Sequence, residues 1–145
     1  MDATIDIFKS YQAQTFPHPS CLEVKSANGS YITDVNGKEH LDFVAGVSVC
    51  TLGHSNEIIK KAVIKQIDLY SHVMVYGEYI QSPQYKLAKL LAENLPKSLS
   101  TTYFTNSGTE AIEGALKLAK RATGKTEVIS CEGSYHGSTH GSLSI

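Results

Sequence analysis

What this sequence lacks narrows its fold and function before any motif is read. No apolar stretch approaches the roughly 20 residues that a membrane-spanning helix needs. The opening residues Met1-Asp2-Ala3-Thr4-Ile5-Asp6 carry neither a basic segment nor a long apolar one, so no secretory leader is expected. Lysine and arginine (13) nearly balance aspartate and glutamate (14), which leaves a formal charge of −1 and no basic surplus for nucleic acid or an anionic membrane. Cysteine is scarce. Cys21, Cys50 and Cys131 are an odd number at unrelated spacings, which argues against a disulfide framework and fits reduced thiols in a cytoplasmic protein. With no Cys-x-x-Cys pair, no Gly-rich Walker pattern and no G-x-G-x-x-G, neither zinc nor the common nucleotide folds have a signal. No repeat or low-complexity tract interrupts the chain, and Arg121 is its sole arginine.

What remains is an ordered series of elements. A chain of 145 residues can bury a core and ordinarily forms one domain. Ile5, Phe8, Tyr11 and Ala13 line one side of an N-terminal helix, which Pro17 and Pro19 end. Leu22-Glu23-Val24-Lys25 alternates as a half-buried strand. Residues 30–34 and 38–43 flank Val35-Asn36-Gly37, a strong hairpin signal, so a small antiparallel unit is expected ahead of an α/β part. Residues 43–54 form a loop bearing Gly46 and Gly53. Ile59, Ala62, Val63, Ile67 and Tyr70 then repeat at helical spacing, with Ser55 as the expected N-cap and Glu57 in the first turn. Residues 72–81 are aromatic and irregular. Ser82-Pro83 opens another helix, with serine as cap, an apolar face of Leu87, Leu90, Leu91 and Leu95, and Pro96 as its end. The run Ser142-Leu143-Ser144-Ile145 reads as an apolar strand, an exposed edge if a parallel sheet has just begun. The chain is therefore expected to be the front part of a longer protein.

The chemistry concentrates around Tyr103-Phe104-Thr105-Asn106-Ser107-Gly108-Thr109-Glu110. Residues 101–105 are β-branched and aromatic and predict a strand. Ser107 with Glu110 three residues later is a capping box that starts a helix running to about Thr123, with Gly124 as its terminator. Strand, glycine turn and helix N-terminus together make an anion site, because several N–H groups lack acceptors there and the helix dipole adds positive charge. An ordinary capped helix of an α/β unit would show the same residues. Val128-Ile129-Ser130 predicts the next strand, followed by Glu132-Gly133-Ser134-Tyr135-His136-Gly137-Ser138-Thr139. Loops at strand C-termini gather on one edge of an open α/β sheet, so an aromatic residue there suits a flat phosphorylated cofactor. His136 and His140 are four apart, but Gly137 and Gly141 break any helix between them, so no metal site is expected. Glu113 and Lys117 read as an ion pair on a solvated helix face.

Asn106-Ser107-Gly108-Thr109-Glu110-Ala111, Ala115-Leu116-Lys117-Leu118-Ala119-Lys120-Arg121 and Tyr135-His136-Gly137 resemble the class III (ornithine/ω-amino acid) aminotransferases. Leu41-Asp42-Phe43-Val44-Ala45-Gly46-Val47-Ser48-Val49 and Leu52-Gly53-His54 are similar to the same family, so the resemblance runs from about Leu22 onward. It implies a fold type I, aspartate aminotransferase-like α/β architecture: residues 1–44 in the small antiparallel unit, residues 45–145 opening the large mixed-sheet cofactor domain. It implies pyridoxal 5′-phosphate as cofactor, with Ser107, Gly108 and Thr109 on its phosphate, Tyr135 stacked on the pyridine ring and His136 beside it. Val47, Ser48 and Ser138 then fall to the substrate pocket, residues 72–81 to substrate entry or dimer contact, and His54 to a structural hydrogen bond.

The implied reaction moves an amino group from an amine or ω-amino acid, of acetylornithine or ornithine type, to a 2-oxo acid, in a cytoplasmic homodimer. An aminomutase, a racemase or a non-catalytic cofactor-binding module would keep the same site. One departure bears on the donor. Family members acting on acetylornithine, ornithine or 4-aminobutyrate commonly carry arginine after the Tyr-His-Gly motif, where this chain has Ser138. The Schiff-base lysine and the carboxylate for the pyridine nitrogen are expected beyond Ile145, so no catalytic residue is assigned. The 145-residue chain alone is accordingly expected to show no transaminase activity with pyridoxal phosphate; turnover of an amine donor by the purified chain would contradict that.

Overall fold

The hairpin at Asn36-Gly37 forms, and a computed structural model of the chain shows how. The structure describes residues 3–74 and 76–145, which divide into two units, Met1–Val75 and Tyr76–Ile145. In the first, α1 (Ala3–Tyr11) precedes three strands, β1 (Val24–Asn28), β2 (Tyr31–Asp34) and β3 (Glu39–Leu41). They form one antiparallel sheet in the order β1-β2-β3, with Ala27 opposite Ile32 and Ile32 opposite His40. The β2–β3 loop has four residues, Val35 to Lys38, and only Gly37, at φ 84°, in the left-handed region. Asp34 sets this turn. Its Oδ1 accepts from the N–H groups of Asn36 and Lys38, both at 2.9 Å, and its Oδ2 lies 3.0 Å from His40 Nε2. The His40 bond and then the Lys38 N–H hold its carboxyl below the ordinary value, and the residue is 8% exposed.

After β3 the backbone turns left-handed. Ala45, Gly46, Val47 and Ser48, the single turn α2 (Ala45–Ser48), all have φ between 48° and 65°. For the three residues bearing a Cβ this costs about 1–2 kcal/mol each, so the turn persists only because its surroundings impose it. Asp42 is the main restraint. Its Oδ1 accepts from the N–H groups of Val44 (2.9 Å) and Ala45 (3.0 Å), and its Oδ2 meets His54 Nε2 at 2.7 Å. The His54 bond leads the causes that lower the Asp42 carboxyl below its usual range. His54 is tied to the sheet in turn, its backbone exchanging both hydrogen bonds with Gly29 at 3.0 and 2.8 Å. The expected structural role of His54 thus has a visible basis.

Helix α3 (Glu57–Leu69) follows, capped one residue later than expected. Asn56 Oδ1 accepts from the Ile58 and Ile59 N–H groups, whereas Ser55 sits at φ 54° and donates its hydroxyl to the Ala27 carbonyl. A capping residue needs non-helical, usually extended backbone with its oxygen over the first turn, and a left-handed Ser55 cannot supply it. Val75, within the aromatic stretch 72–81, lies outside the described residues, as do Met1 and Asp2.

The second unit holds α4 (Ser82–Asn94), α5 (Gly108–Thr123) and α6 (His140–Leu143). In α4 the N-cap position is Gln81, whose side chain does not cap the helix, and Ser82 and Pro83 are the first two helical residues. Proline is tolerated there because its missing N–H would have no acceptor anyway. The strands expected at 101–105 and 128–130 do not form. A strand exists through its ladder bonds, and among the described residues neither segment finds a neighbour; Ile129 is 99% exposed. The terminal apolar run does not form a strand either: Ser142 and Leu143 end α6 and Ser144 is its C-cap.

Among the described residues no apolar side chain is buried. The amphipathic stripes of α3 and α4 form as the spacing requires, but nothing within their units covers them. No described helix is long and apolar enough to cross a membrane.

Gly53, at φ 85°, would place a Cβ 3.2 Å from the Gly29 carbonyl oxygen. In the complete polypeptide, Gly53→Ala is expected to lower stability by about 1–3 kcal/mol, through both backbone strain and displacement of the Gly29–His54 bridge. Denaturant titration checks this, and an unchanged midpoint would count against the bridge.

Candidate functional site

The first turn of α5 is built as the Ser107/Glu110 spacing requires, with one difference. Ser107 has extended backbone (φ −149°, ψ 162°) and its Oγ accepts from the Glu110 N–H at 3.3 Å. Glu110 reaches back one residue further than a capping box does, accepting from the Asn106 N–H at 2.8 Å and from the Ser107 hydroxyl at 3.2 Å. Gly124 ends the helix at φ 70°, and Glu110 at the start with Lys120 and Arg121 at the end complement its dipole. Four donors need partners at such a terminus. The Ser107 Oγ satisfies the Glu110 N–H, while the Ser107 carbonyl accepts the first intrahelical bond, from Ala111. Among the described residues the N–H groups of Gly108 and Thr109 have no acceptor. They are two adjacent donors at the positive end of a 16-residue helix.

The Thr109 side chain is otherwise engaged. Its hydroxyl lies 2.6 Å from Ser142 Oγ and 2.8 Å from Thr139 Oγ1, and those two hydroxyls are themselves 2.8 Å apart. Ser142 is 1% exposed, and its Oγ also accepts from the Thr139 N–H at 3.1 Å. This triad of hydroxyls draws the segment after Tyr135 to the N-terminal end of α5. Gly137 completes the contact. It is buried at φ 132°, and a Cβ there would lie 2.3 Å from Thr109 Oγ1 and 2.7 Å from Ser142 Oγ. Only glycine fits.

One turn further along α5, Glu113 departs from its expected role. It does not pair with Lys117 on a solvated face. Its Oε1 accepts from the Thr139 hydroxyl (2.5 Å), the Gly141 N–H (2.8 Å) and the Ser142 N–H (3.1 Å). The Thr139 hydroxyl first, then the Ser142 N–H, holds its carboxyl below the usual glutamate range, with a smaller contribution from the charge of His140. The sequence reading gave Glu113 only the Lys117 pair, and gave Thr139 and Ser142 no site role. A signal existed: Glu113 lies four residues after Thr109, hence on the same helix face, and the 138–142 segment is rich in hydroxyl and N–H donors but has no carboxylate.

The other expected site residues fall as follows. Tyr135 is 81% exposed, His136 half-buried and Ser138 exposed, on the segment that Gly137 pins to Thr109. Ser107, Gly108 and Thr109 stand at the helix N-terminus that this segment meets. Val47 and Ser48 belong to the first unit, where both are exposed on the strained left-handed turn held by Asp42.

With this geometry in view, comparisons with known proteins converge. A family model, Aminotransferase class-III, matches residues 11–145. The chain is similar to an acetylornithine aminotransferase of Bacillus anthracis, at 41% identity over 138 residues, 95% of this chain and 33% of the relative. Its fold is similar to that of an ω-transaminase from Sphaerobacter thermophilus (TM-score 0.79, 32% identity, 94% of this chain and 32% of that one). It is also similar to that of an S-selective transaminase from an Arthrobacter species (TM-score 0.86, 26% identity, 96% and 31%). The chain spans about a third of the length of most of the curated relatives it matches. Fold type I architecture is thereby shown, the small antiparallel sheet and the helices of the second unit being its N-terminal portion.

Class III aminotransferases depend on pyridoxal 5′-phosphate, and the residues here suit that group. Two unclaimed N–H groups and a serine hydroxyl at a helix N-terminus match a phosphate, and an exposed tyrosine ring on the adjoining segment matches a flat heterocycle. The contact that makes this possible is testable. Gly137→Ala is expected to destabilise the complete polypeptide by about 1–3 kcal/mol, because the methyl group must push Thr109 and Ser142 apart. Thermal or denaturant unfolding measures it, and a wild-type midpoint would mean that the hydroxyl triad is not a fixed contact.

Proposed function

The chain belongs to the class III aminotransferase family, and we propose that the whole protein transfers an amino group from an amine or ω-amino acid to a 2-oxo acid. The observation that carries this reading is the pair of unclaimed N–H donors on Gly108 and Thr109, with the Tyr135–Ser138 segment tied to the same helix end. Gly108 and Thr109 bind the cofactor phosphate through those N–H groups, assisted by the helix dipole, and the Ser107 hydroxyl turns from Glu110 to donate to it. The Thr109 hydroxyl stays with Thr139 and Ser142 and positions the segment rather than the phosphate. Tyr135 covers one face of the ring and excludes water from it, with His136 packed at the edge. When bound, pyridoxal phosphate supplies an electron sink for the carbon that bears the amino group. Val47 and Ser48 are read as substrate contacts, because strained backbone of this kind collects at functional sites. The uncovered apolar faces of α3 and α4 fall to the remainder of the protein and to a homodimer partner.

Ser138 shapes the choice of donor. A serine cannot form the bidentate pair that an arginine makes with a substrate carboxylate, so amines lacking a second carboxylate are favoured over glutamate-type donors. The sequence relatives are acetylornithine aminotransferases and the structural neighbours include ω- and S-selective transaminases, so both donor types are tested together. The complete polypeptide and its Ser138→Arg variant are assayed with pyruvate and 2-oxoglutarate as acceptors, against amine, ω-amino acid, acetylornithine and glutamate donors. The wild type is expected to turn over amine or ω-amino donors, and Ser138→Arg to raise kcat/KM for glutamate or acetylornithine about tenfold. No turnover with any donor would remove the transaminase reading. Turnover without that gain would remove only the role of Ser138.

A further inference from the structure

We propose that Glu113 is a positioning residue for the cofactor site. Its carboxylate fixes the α6 turn, and through it the Tyr135–Ser138 segment, against the first turn of α5. This rests on the reading of Tyr135, His136 and Ser138 as cofactor and substrate contacts.

The geometry is specific. A single oxygen, Glu113 Oε1, accepts three hydrogen bonds, from the Thr139 hydroxyl and from the Gly141 and Ser142 N–H groups. The two N–H groups are orphan donors of the first turn of α6. That helix has four residues, far below the length at which a helix holds itself in water; besides the capping box between its own Thr139 and Ser142, it takes an acceptor from α5. Glu113 is the acceptor, and it approaches closely because residue 141 is glycine: a Cβ there would lie 2.3 Å from Glu113 Oε2. Thr109, on the same face of α5, grips Thr139 and Ser142 from the other side. Thr139 directly follows Ser138, and Gly137 is packed on Thr109, so little slack separates the gripped residues from Tyr135. Releasing the Glu113 grip therefore releases the ring-facing segment.

The test uses the complete polypeptide with Glu113→Ala, Glu113→Gln and Thr139→Val. Glu113→Gln retains a carbonyl acceptor in the same volume, and Thr139→Val removes one donor at nearly constant shape, so both carry the test should Glu113→Ala fail to fold. Three quantities are read: hydrogen exchange at the amides of residues 137–142, the dissociation constant for pyridoxal phosphate, and the circular dichroism of the bound cofactor's visible band. For Glu113→Ala, exchange is expected to accelerate and cofactor affinity to fall, each about tenfold, with a weakened dichroic band; Glu113→Gln recovers part of each change. Unchanged exchange in Glu113→Ala, or in Thr139→Val should Glu113→Ala fail to fold, overturns the grip itself, whatever the cofactor does. Faster exchange with wild-type affinity and dichroism overturns the positioning role by a different route, since the segment would then bear no cofactor contact and the reading of Tyr135 would fall as well.

Discussion

Four backbone N–H groups at the start of α5 have no carbonyl of their own helix to bond, and the second unit is arranged around how that end is finished. The Ser107 Oγ takes the Glu110 N–H, and those of Gly108 and Thr109 stay open. The same turn projects the Thr109 hydroxyl sideways into Ser142 and Thr139, and Glu113 repeats the gesture one turn later. A helix that began one residue earlier or later would rotate Thr109 and Glu113 by about 100° and lose both contacts. The cap at Ser107 thus fixes the register of the whole contact.

The first unit solves a related problem with a different carboxylate. Asp42 gives one oxygen to the N–H groups of Val44 and Ala45 and the other to His54, whose backbone is bonded to Gly29 at the β1–β2 turn. Four consecutive left-handed residues are thereby held to a small sheet. Both carboxylates, Asp42 and Glu113, lie below their ordinary pKa because hydrogen bonds favour the ionised form. The sign follows from that. A depressed carboxyl lends stability that is present above its unfolded value, near pH ~4, and is lost as the pH falls through the lower folded value. Both grips are therefore closed at neutral pH.

Local signals in the chain were legible where a few neighbouring residues decide the outcome. The Asn36-Gly37 hairpin, the Ser107 cap, the Gly124 terminator and the helical stripe over residues 57–69 all formed, because each depends on backbone donors within a turn or two. Ser55 and Ser82 were assigned caps that belong to Asn56 and Gln81, since the deciding quantity is the φ/ψ of a single residue and not its hydroxyl. The strands at 101–105 and 128–130 carry the right composition but no ladder, because a strand is a property of two segments and the second is not within hydrogen-bonding reach. Glu113 was misread for the reciprocal reason: its i,i+4 lysine is visible along the sequence, whereas three better donors lie 26 to 29 residues away.

The sequence by itself determined the hairpin, the longer helices, the family resemblance and the residue types at the anion end of α5, since these follow from short-range periodicity, capping and motif order. Tertiary structure alone decided that the Thr109 hydroxyl faces Ser142, that Gly137 must be glycine, that Glu113 winds α6, and that Ala45 to Ser48 are left-handed. Each of these depends on a contact between segments remote in the chain, or on strain that only such a contact can hold. A one-dimensional pattern records which donors and acceptors exist, and folding chooses among them by distance.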